Sequence, residues 1–325
     1  MLWLEFLSCA GLLTYFAYYL CVEGVIISER THIEEGIIGM FFLAIATSFP
    51  EIVTSSTAVF SFGKIGLGYG NILGSIMVNF MILLGVDYFM GKGRLLARVS
   101  RINLVTAVFI LSSIAVILAA VFFRKVSISL PALNRIGVES VVIIIIYLLY
   151  LRTMRQRGAR SHEEHIFEEQ GSFFKIWFKF IFFLIVVMAL SMWMAGIGAK
   201  LTVNTGLSET FIGTLFLGLT TSFPEIIVSF AALRAGSLDM AVGNILGSNI
   251  FDISVVSFLD LLSGTPILSM LTSGQIMATI AAMILAVITV IALIVRGDSS
   301  RRINWDTLLI FTAGFIGFVI LYFIR

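Results

Sequence analysis

Ten apolar runs dominate the sequence, at about 3–27, 36–60, 66–90, 102–123, 136–151, 173–198, 209–233, 240–263, 274–296 and 304–324. One helix of roughly 20 apolar residues spans the hydrocarbon of a bilayer. Inside lipid the backbone must satisfy its own hydrogen bonds, which leaves helices and closed barrels. Continuous runs of this length predict an all-α integral membrane protein with ten transmembrane helices. Composition agrees, because 59% of the 325 residues are hydrophobic and only 12% charged, too few to cover a soluble surface. The first run carries Glu5 and no basic leader, so it reads as a true first span rather than a cleaved signal.

The one long polar stretch, RTMRQRGARSHEEHIFEEQG at 152–172, divides the runs into five and five. It predicts a first repeat over 1–151, a linker over 152–172 and a second repeat over 173–325. With the N-terminus outside, the inner loops hold Arg30, Lys92, Arg94, Arg98, Arg101, Arg152, Arg155, Arg157, Arg160, Arg234, Arg296, Arg301 and Arg302. The outer loops hold only Lys64, Arg124, Lys125, Arg135, Lys200 and Arg325. The bias of basic residues therefore places both termini outside and the linker in the cytoplasm. His162, His165 and four glutamates cluster in that linker, a solvated segment on its composition.

The two halves repeat each other. TSFPEI begins at Thr47 and at Thr221, and GNILGS begins at Gly70 and at Gly243. The offsets are 174 and 173, so the first copy has one extra residue between its motifs. Asn79 pairs with Asp252 and Asp87 with Asp260 on the second offset. With five spans per half, the second copy enters from the opposite face, giving an inverted-topology repeat of the kind found in secondary transporters.

Each first motif places a proline beside a carboxylate within a span. Pro50 and Pro224 remove a backbone donor and press on the preceding turn, freeing carbonyls near Thr47 and Thr221. Glu51 and Glu225 each cost at least about 2.5–3.5 kcal/mol at the bilayer midplane. No Lys, Arg or His is expected at that depth to neutralise them. Two protonated structural carboxyls are one explanation; a shared cation site is the other. The neighbours are all oxygen donors. Thr47 and Thr221 lie four residues before the carboxylates on the same helix face, and Ser48 and Ser222 flank the prolines. Asn71, Ser75 and Asn79 form a polar stripe in the next run, matched by Asn244, Ser248 and Asp252. Oxygen without thiol or imidazole suits a hard cation such as Ca2+ or Na+. Such stripes also join helices, a role that Asn71 and Asn244 fit as well. The glycines of GYGNILGS and AVGNILGS permit close helix contact and are expected to support the site rather than ligate.

ATSFPEIVTS with GNILGSIMVN, and TTSFPEIIVS with GNILGSNIFD, resemble the calcium/cation antiporter superfamily, specifically its prokaryotic sodium/calcium exchanger branch. The motifs cover about 36–80 and 210–253. The resemblance implies ten helices in two inverted halves and exchange of Ca2+ against another cation. It makes Glu51 and Glu225 the central Ca2+ ligands, helped by the Thr47 and Thr221 carbonyls. Ser48, Ser75, Ser222 and Ser248, with the Ala44 and Gly218 carbonyls, become flanking Na+ sites, and Asn79 and Asp252 complete the centre. The first and sixth helices become the sliding elements. Proton-coupled relatives carry a small residue where Ser48 and Ser222 stand, so the resemblance favours Na+, with Ca2+/H+ exchange through the same carboxylates as the alternative. The sequence departs from the pattern at Ile76, where Asn is usual.

Other classes fit less well. His32, His162 and His165 all fall in loops, no Arg stands at motif depth, and the serines have no activating partner, so an intramembrane hydrolase is not expected. Paired broken helices suit a carrier better than a channel. A net charge of +2 with no basic block gives no sign of nucleic-acid binding. Cys9 and Cys21 lack metal-ligand spacing and are expected to pack in the membrane. No cofactor and no obligatory protein partner are expected; the partners are Ca2+, Na+ and the lipid bilayer.

Overall fold

The computed structural model describes residues 1–30, 47–125, 132–133, 136–158, 173–263, 267–295, 297, 301 and 303–324. Its helices are α1 (Leu2–Arg30), α2 (Phe49–Phe60), α3 (Ile65–Met90), α4 (Arg101–Lys125), α5 (Val138–Gly158), α6 (Phe173–Thr205), α7 (Glu209–Thr221), α8 (Phe223–Arg234), α9 (Leu238–Ser263), α10 (Ser273–Ile294) and α11 (Trp305–Phe323). A two-residue hairpin, Ala132–Leu133 against Ile136–Gly137, precedes α5. Within α7, Ile212–Leu217 widens into a π-helix.

Among the described residues, seven helices are long and apolar enough to cross a membrane, and the bent pair α7–α8 makes an eighth span. The expected count of ten is not reached. The first part of the 36–60 run lies outside the described residues. In α5, Arg152 and Arg155 follow directly on the apolar run and lower its hydropathy. That helix also corrects the domain boundary, since it continues to Gly158 instead of ending at 151. Arginine is a good helix former, so the helix outlasts its apolar stretch. The rest of the linker, with its His and Glu cluster, lies outside the described residues.

Helices α3 and α9, which carry the GNILGS motifs, form the centre. In each, 72% of the apolar window is buried, against 33% in α1 and α6. They pack on each other and on α4, α10 and α11 around a continuous core that includes Ile72, Ile76, Phe80, Ile245 and Leu259. Helices α1 and α6 share a separate cluster of Leu13, Ala17, Leu20, Ile176 and Val187. The outward face of α6 exposes Phe174, Phe178, Phe182 and Ile185, as lipid contact allows. Glycines bring α3 against the broken helix of the other half. A Cβ on Gly218 would lie 2.7 Å from Gly74 Cα, so backbone meets backbone there.

Beyond the centre, two buried carboxylates close the ends of α3 and α9. Asp87 accepts from the backbone of Leu95 and Asn304, from the Asn304 amide and from the Thr307 hydroxyl. Asp260 accepts from the backbone of Gly137 and Ile267 and from the Ser140 hydroxyl. Each thus satisfies donors at a helix start in the same half or the other, a packing role for this mirrored pair.

Candidate cation site

The prolines do not kink continuous helices. They stand in the first turn of new ones: α2 and α8 begin at Phe49 and Phe223, with Ser48 and Ser222 as N-caps. Proline suits this position because its missing N–H is an unpaired donor there in any case. The chain bends by 41° between α7 and α8. Glu51 and Glu225 fall in the first turns of α2 and α8, at the positive ends of both helices.

Every expected site side chain among the described residues is buried: Thr47, Ser48, Glu51, Ser75, Asn79, Thr221, Ser222, Glu225, Ser248 and Asp252. Gly218 is buried as well. Ala44 lies outside the described residues.

Two hydrogen-bonded groups form, each crossing between the halves. Glu225 Oε1 accepts from Ser48 and Ser248, both at 3.3 Å, and Ser248 lies 3.5 Å from the Thr47 hydroxyl. Glu51 Oε1 accepts from Ser75 at 3.4 Å, and Ser75 lies 3.2 Å from the Thr221 hydroxyl and 3.4 Å from the Gly218 carbonyl oxygen. Thr221 in turn donates to Asn71 Oδ1 at 3.2 Å. Asn79 turns to Asn249 instead, donating to its Oδ1 at 3.0 Å. Asp252 and the Ser222 hydroxyl join neither group, although Asp252 lies close enough to Glu51 and Glu225 for their charges to interact.

The second oxygens of Glu51 and Glu225, both oxygens of Asp252, Asn79 Oδ1 and Ser222 Oγ have no hydrogen-bond partner among the described residues. None of the ion pairs among those residues involves the three carboxylates. Buried polar atoms left in this way are costly, about 1–3 kcal/mol each and more when charged. A cation held between them removes that cost. The donor set is carboxylate, amide, hydroxyl and carbonyl oxygen, the chemistry of a hard ion. Among the described residues no cluster of three His, Cys, Asp or Glu side chains has the arrangement of a resident metal centre.

Asn71 and Asn244 serve as joints. Asn71 donates to the Glu51 carbonyl and the Ser55 hydroxyl, and Asn244 to the Glu225 carbonyl and the Ser229 hydroxyl. Ser55 and Ser229 escaped the sequence reading, although each stands one helical turn after its carboxylate. Asn249 and Cys21 escaped it too. Cys21, on α1, is buried within the electrostatic reach of Glu225 and Glu51. Glu23, also on α1, is buried and pairs with Lys179 of α6 at 3.2 Å. An intramembrane acid near a helix end was the available signal for it.

Comparison with known proteins places this geometry. The family model described as sodium/calcium exchanger protein matches residues 1–155 and 175–324. An uncharacterized membrane protein of Methanocaldococcus jannaschii is 29% identical over 228 residues, 70% of either chain. The fold is similar to the sodium-calcium exchanger NCX_Mj, with a TM-score of 0.63 and 23% identity over 98% of this chain and 99% of that one. It is also similar to the H+/Ca2+ exchanger CAX, with a TM-score of 0.67 and 11% identity over 99% of this chain and 85% of that one. The chain belongs to the sodium/calcium exchanger protein family, within the calcium/cation antiporter superfamily.

Proposed function

We propose that this chain is a secondary active transporter that exchanges Na+ for Ca2+ by alternating access, through overlapping cation sites near the bilayer midplane. The observation that carries the proposal is the pair of buried carboxylates, Glu51 and Glu225, each in the first turn of a helix and each with one oxygen unpaired among the described residues. Ca2+ is balanced by both carboxylates. Na+ ions spread over the same oxygens and the flanking Ser48, Ser75, Ser222 and Ser248 replace it. Thr47, Thr221, Gly218 and Ala44 supply further oxygens, and Asn79 and Asp252 line the centre. Both cations need the same carboxylates, so they exclude one another. Without either, uncompensated charge stays in a low-dielectric interior, which opposes the return step and enforces exchange.

The proposal extends to ten spans in two inverted five-helix halves, with both termini outside and the 152–172 linker in the cytoplasm of the cell. Helices α1 and α6 would move against the rest; their separate apolar cluster supports this. The likeness of the fold to a sodium-calcium and to an H+/Ca2+ exchanger keeps one second reading, Ca2+/H+ exchange at the same carboxylates.

Radioactive Ca2+ uptake into proteoliposomes tests both. Vesicles loaded with Na+ and diluted into Na+-free buffer are expected to accumulate Ca2+, while a matched pH gradient without Na+ drives none. Glu51→Gln is expected to lower uptake at least 100-fold. Uptake driven by the pH gradient alone replaces Na+ with H+ as coupling ion. Normal uptake in Glu51→Gln refutes the shared site.

A further inference from the structure

The centre of the site breaks the repeat in two places at once. Asn79 of α3 corresponds to Asp252 of α9, and Ile76 of α3 corresponds to Asn249 of α9. The four side chains are buried at the contact of the two central helices. Only one of the two mirror-related links exists. Asn79 Nδ2 donates to Asn249 Oδ1 at 3.0 Å, whereas Ile76 has no polar atom to offer Asp252. The consequence for each first-named residue is opposite. Asn79 has its N–H2 group tied, and Oδ1 is its atom without a partner among the described residues. Asp252 has both oxygens without one.

An amide can present either end to its surroundings. With its amino end held, Asn79 has only oxygen left to present. Beside carboxylates, a free N–H2 would be the more favourable end unless a cation stands between them, since like partial charges repel and a cation draws oxygen. The hydrogen bond to Asn249 therefore selects the end that a cation requires. We propose that Asn249 is a positioning residue, which holds the Asn79 amide so that its carbonyl oxygen is available to the transported cation. This rests on the cation-exchange reading of the site. Ile76 is the counterpart of the same device. Being apolar, it gives Asp252 no such hold, so the centre offers one oriented neutral oxygen and one untethered carboxyl group. The departure at residue 76 thereby becomes part of the site's asymmetry.

The test is a double-mutant cycle on the half-saturating Ca2+ concentration for uptake, in full-length protein in proteoliposomes. Asn249→Leu and Asn79→Ala are each expected to raise it about tenfold, the size of one orienting hydrogen bond, with the double variant raising it no further. Additive effects overturn the proposal, because they mean independent roles. A normal half-saturating concentration with a lowered melting temperature in Asn249→Leu also overturns it and leaves a helix joint only. If the Leu variant does not fold, Asn249→Ser takes its place in the cycle, being polar but too short to reach Asn79. Wild-type protein and Glu51→Gln are run beside these. If wild-type transports Ca2+, Glu51→Gln abolishes it and Asn249 variants behave as wild-type, the positioning role alone fails. If Glu51→Gln transports normally, the site reading fails and the positioning role falls with it.

Discussion

Asn71 reaches from α3 to the Glu51 carbonyl at 3.4 Å and the Ser55 hydroxyl at 2.9 Å; Asn244 reaches from α9 to the Glu225 carbonyl at 3.3 Å and the Ser229 hydroxyl at 2.9 Å. Two helical turns further along the same helices, the likeness ends. Asn79 is held by Asn249, while Asp252 has no hydrogen-bond partner among the described residues. The flanks are a frame, and a frame works in two copies. Each copy fixes one carboxylate in the first turn of a broken helix through its backbone carbonyl. The centre is where charge is decided. Two symmetric halves would bring either two extra amides or two extra carboxylates. The departure at 79 and 252 yields one of each, so three carboxyl groups meet one oriented amide. Duplication supplied the scaffold, and a few unmatched residues set the charge that the transported ions must balance.

The largest expected effect comes from breaking the frame itself. A Cβ on Gly74 would overlap the backbone of Thr214, and one on Gly218 would lie 2.7 Å from Gly74 Cα. Backbone cannot turn aside as a side chain can. Overpacking of this kind costs about 1–3 kcal/mol and more where nothing can yield. Gly74→Ala is expected to abolish transport and to lower the yield of monodisperse protein on size-exclusion chromatography at least tenfold. Wild-type yield and uptake would mean that α3 and α7 are not held at backbone contact, and the two carboxylate groups would lose their common frame.

A smaller effect sharpens the likeness of the flanks. Asn71→Ala leaves the Ser55 hydroxyl and a backbone carbonyl short of a partner, and Asn244→Ala does the same to Ser229 and its carbonyl. Each is expected to lose about 1–3 kcal/mol, seen as a fall in melting temperature. The two should agree within about 0.5 kcal/mol, the usual spread for independent equivalent sites. Asn71 also accepts from Thr221, so any excess should fall on that side. A loss confined to Asn244→Ala would show that the frames are alike in distance but not in energy.

The sequence exposed the frame better than the centre, for a physical reason. A carboxylate, a hydroxyl or an amide in an apolar run is expensive in lipid, so Glu51, Glu225, Ser75 and Ser248 announced themselves, and their repetition confirmed that the expense is deliberate. What the sequence withheld was partnership. Asn249 looked like a motif residue with no counterpart, because its meaning lies in an amide 170 residues away. Pro50 and Pro224 read as kinks in continuous helices, yet each opens a new helix, since the residues before them, Ser48 and Ser222, leave the helix at the break. The roles of Asn304 and Thr307 were invisible for the same reason as that of Asn249. They satisfy Asp87 across more than 200 residues of chain, and only the fold brings them to it. The span count suffered from a different limit: Arg152 and Arg155 prolong α5 beyond its apolar run, so hydropathy and helix length disagree there.

The smallest expected effect concerns a second place where the repeat fails, this time near the surface. Lys64, just before α3, pairs with Glu209 at the start of α7 at 2.7 Å, and links the two halves as Asn79 and Asn249 do. Its counterparts in the second half, Ser237 or Leu238 depending on the offset, carry no charge. Here, however, the partners are 27% and 34% exposed, so water already screens both charges. Pairs of this kind are worth about 0–1 kcal/mol. Lys64→Ala is therefore expected to shift the melting temperature by no more than a degree or two and to leave the half-saturating Ca2+ concentration unchanged. A tenfold change in that concentration would place Lys64 with the centre of the site rather than with its surroundings. The contrast with Asn249→Leu would then vanish, and asymmetry alone, buried or not, would be enough to set ion binding.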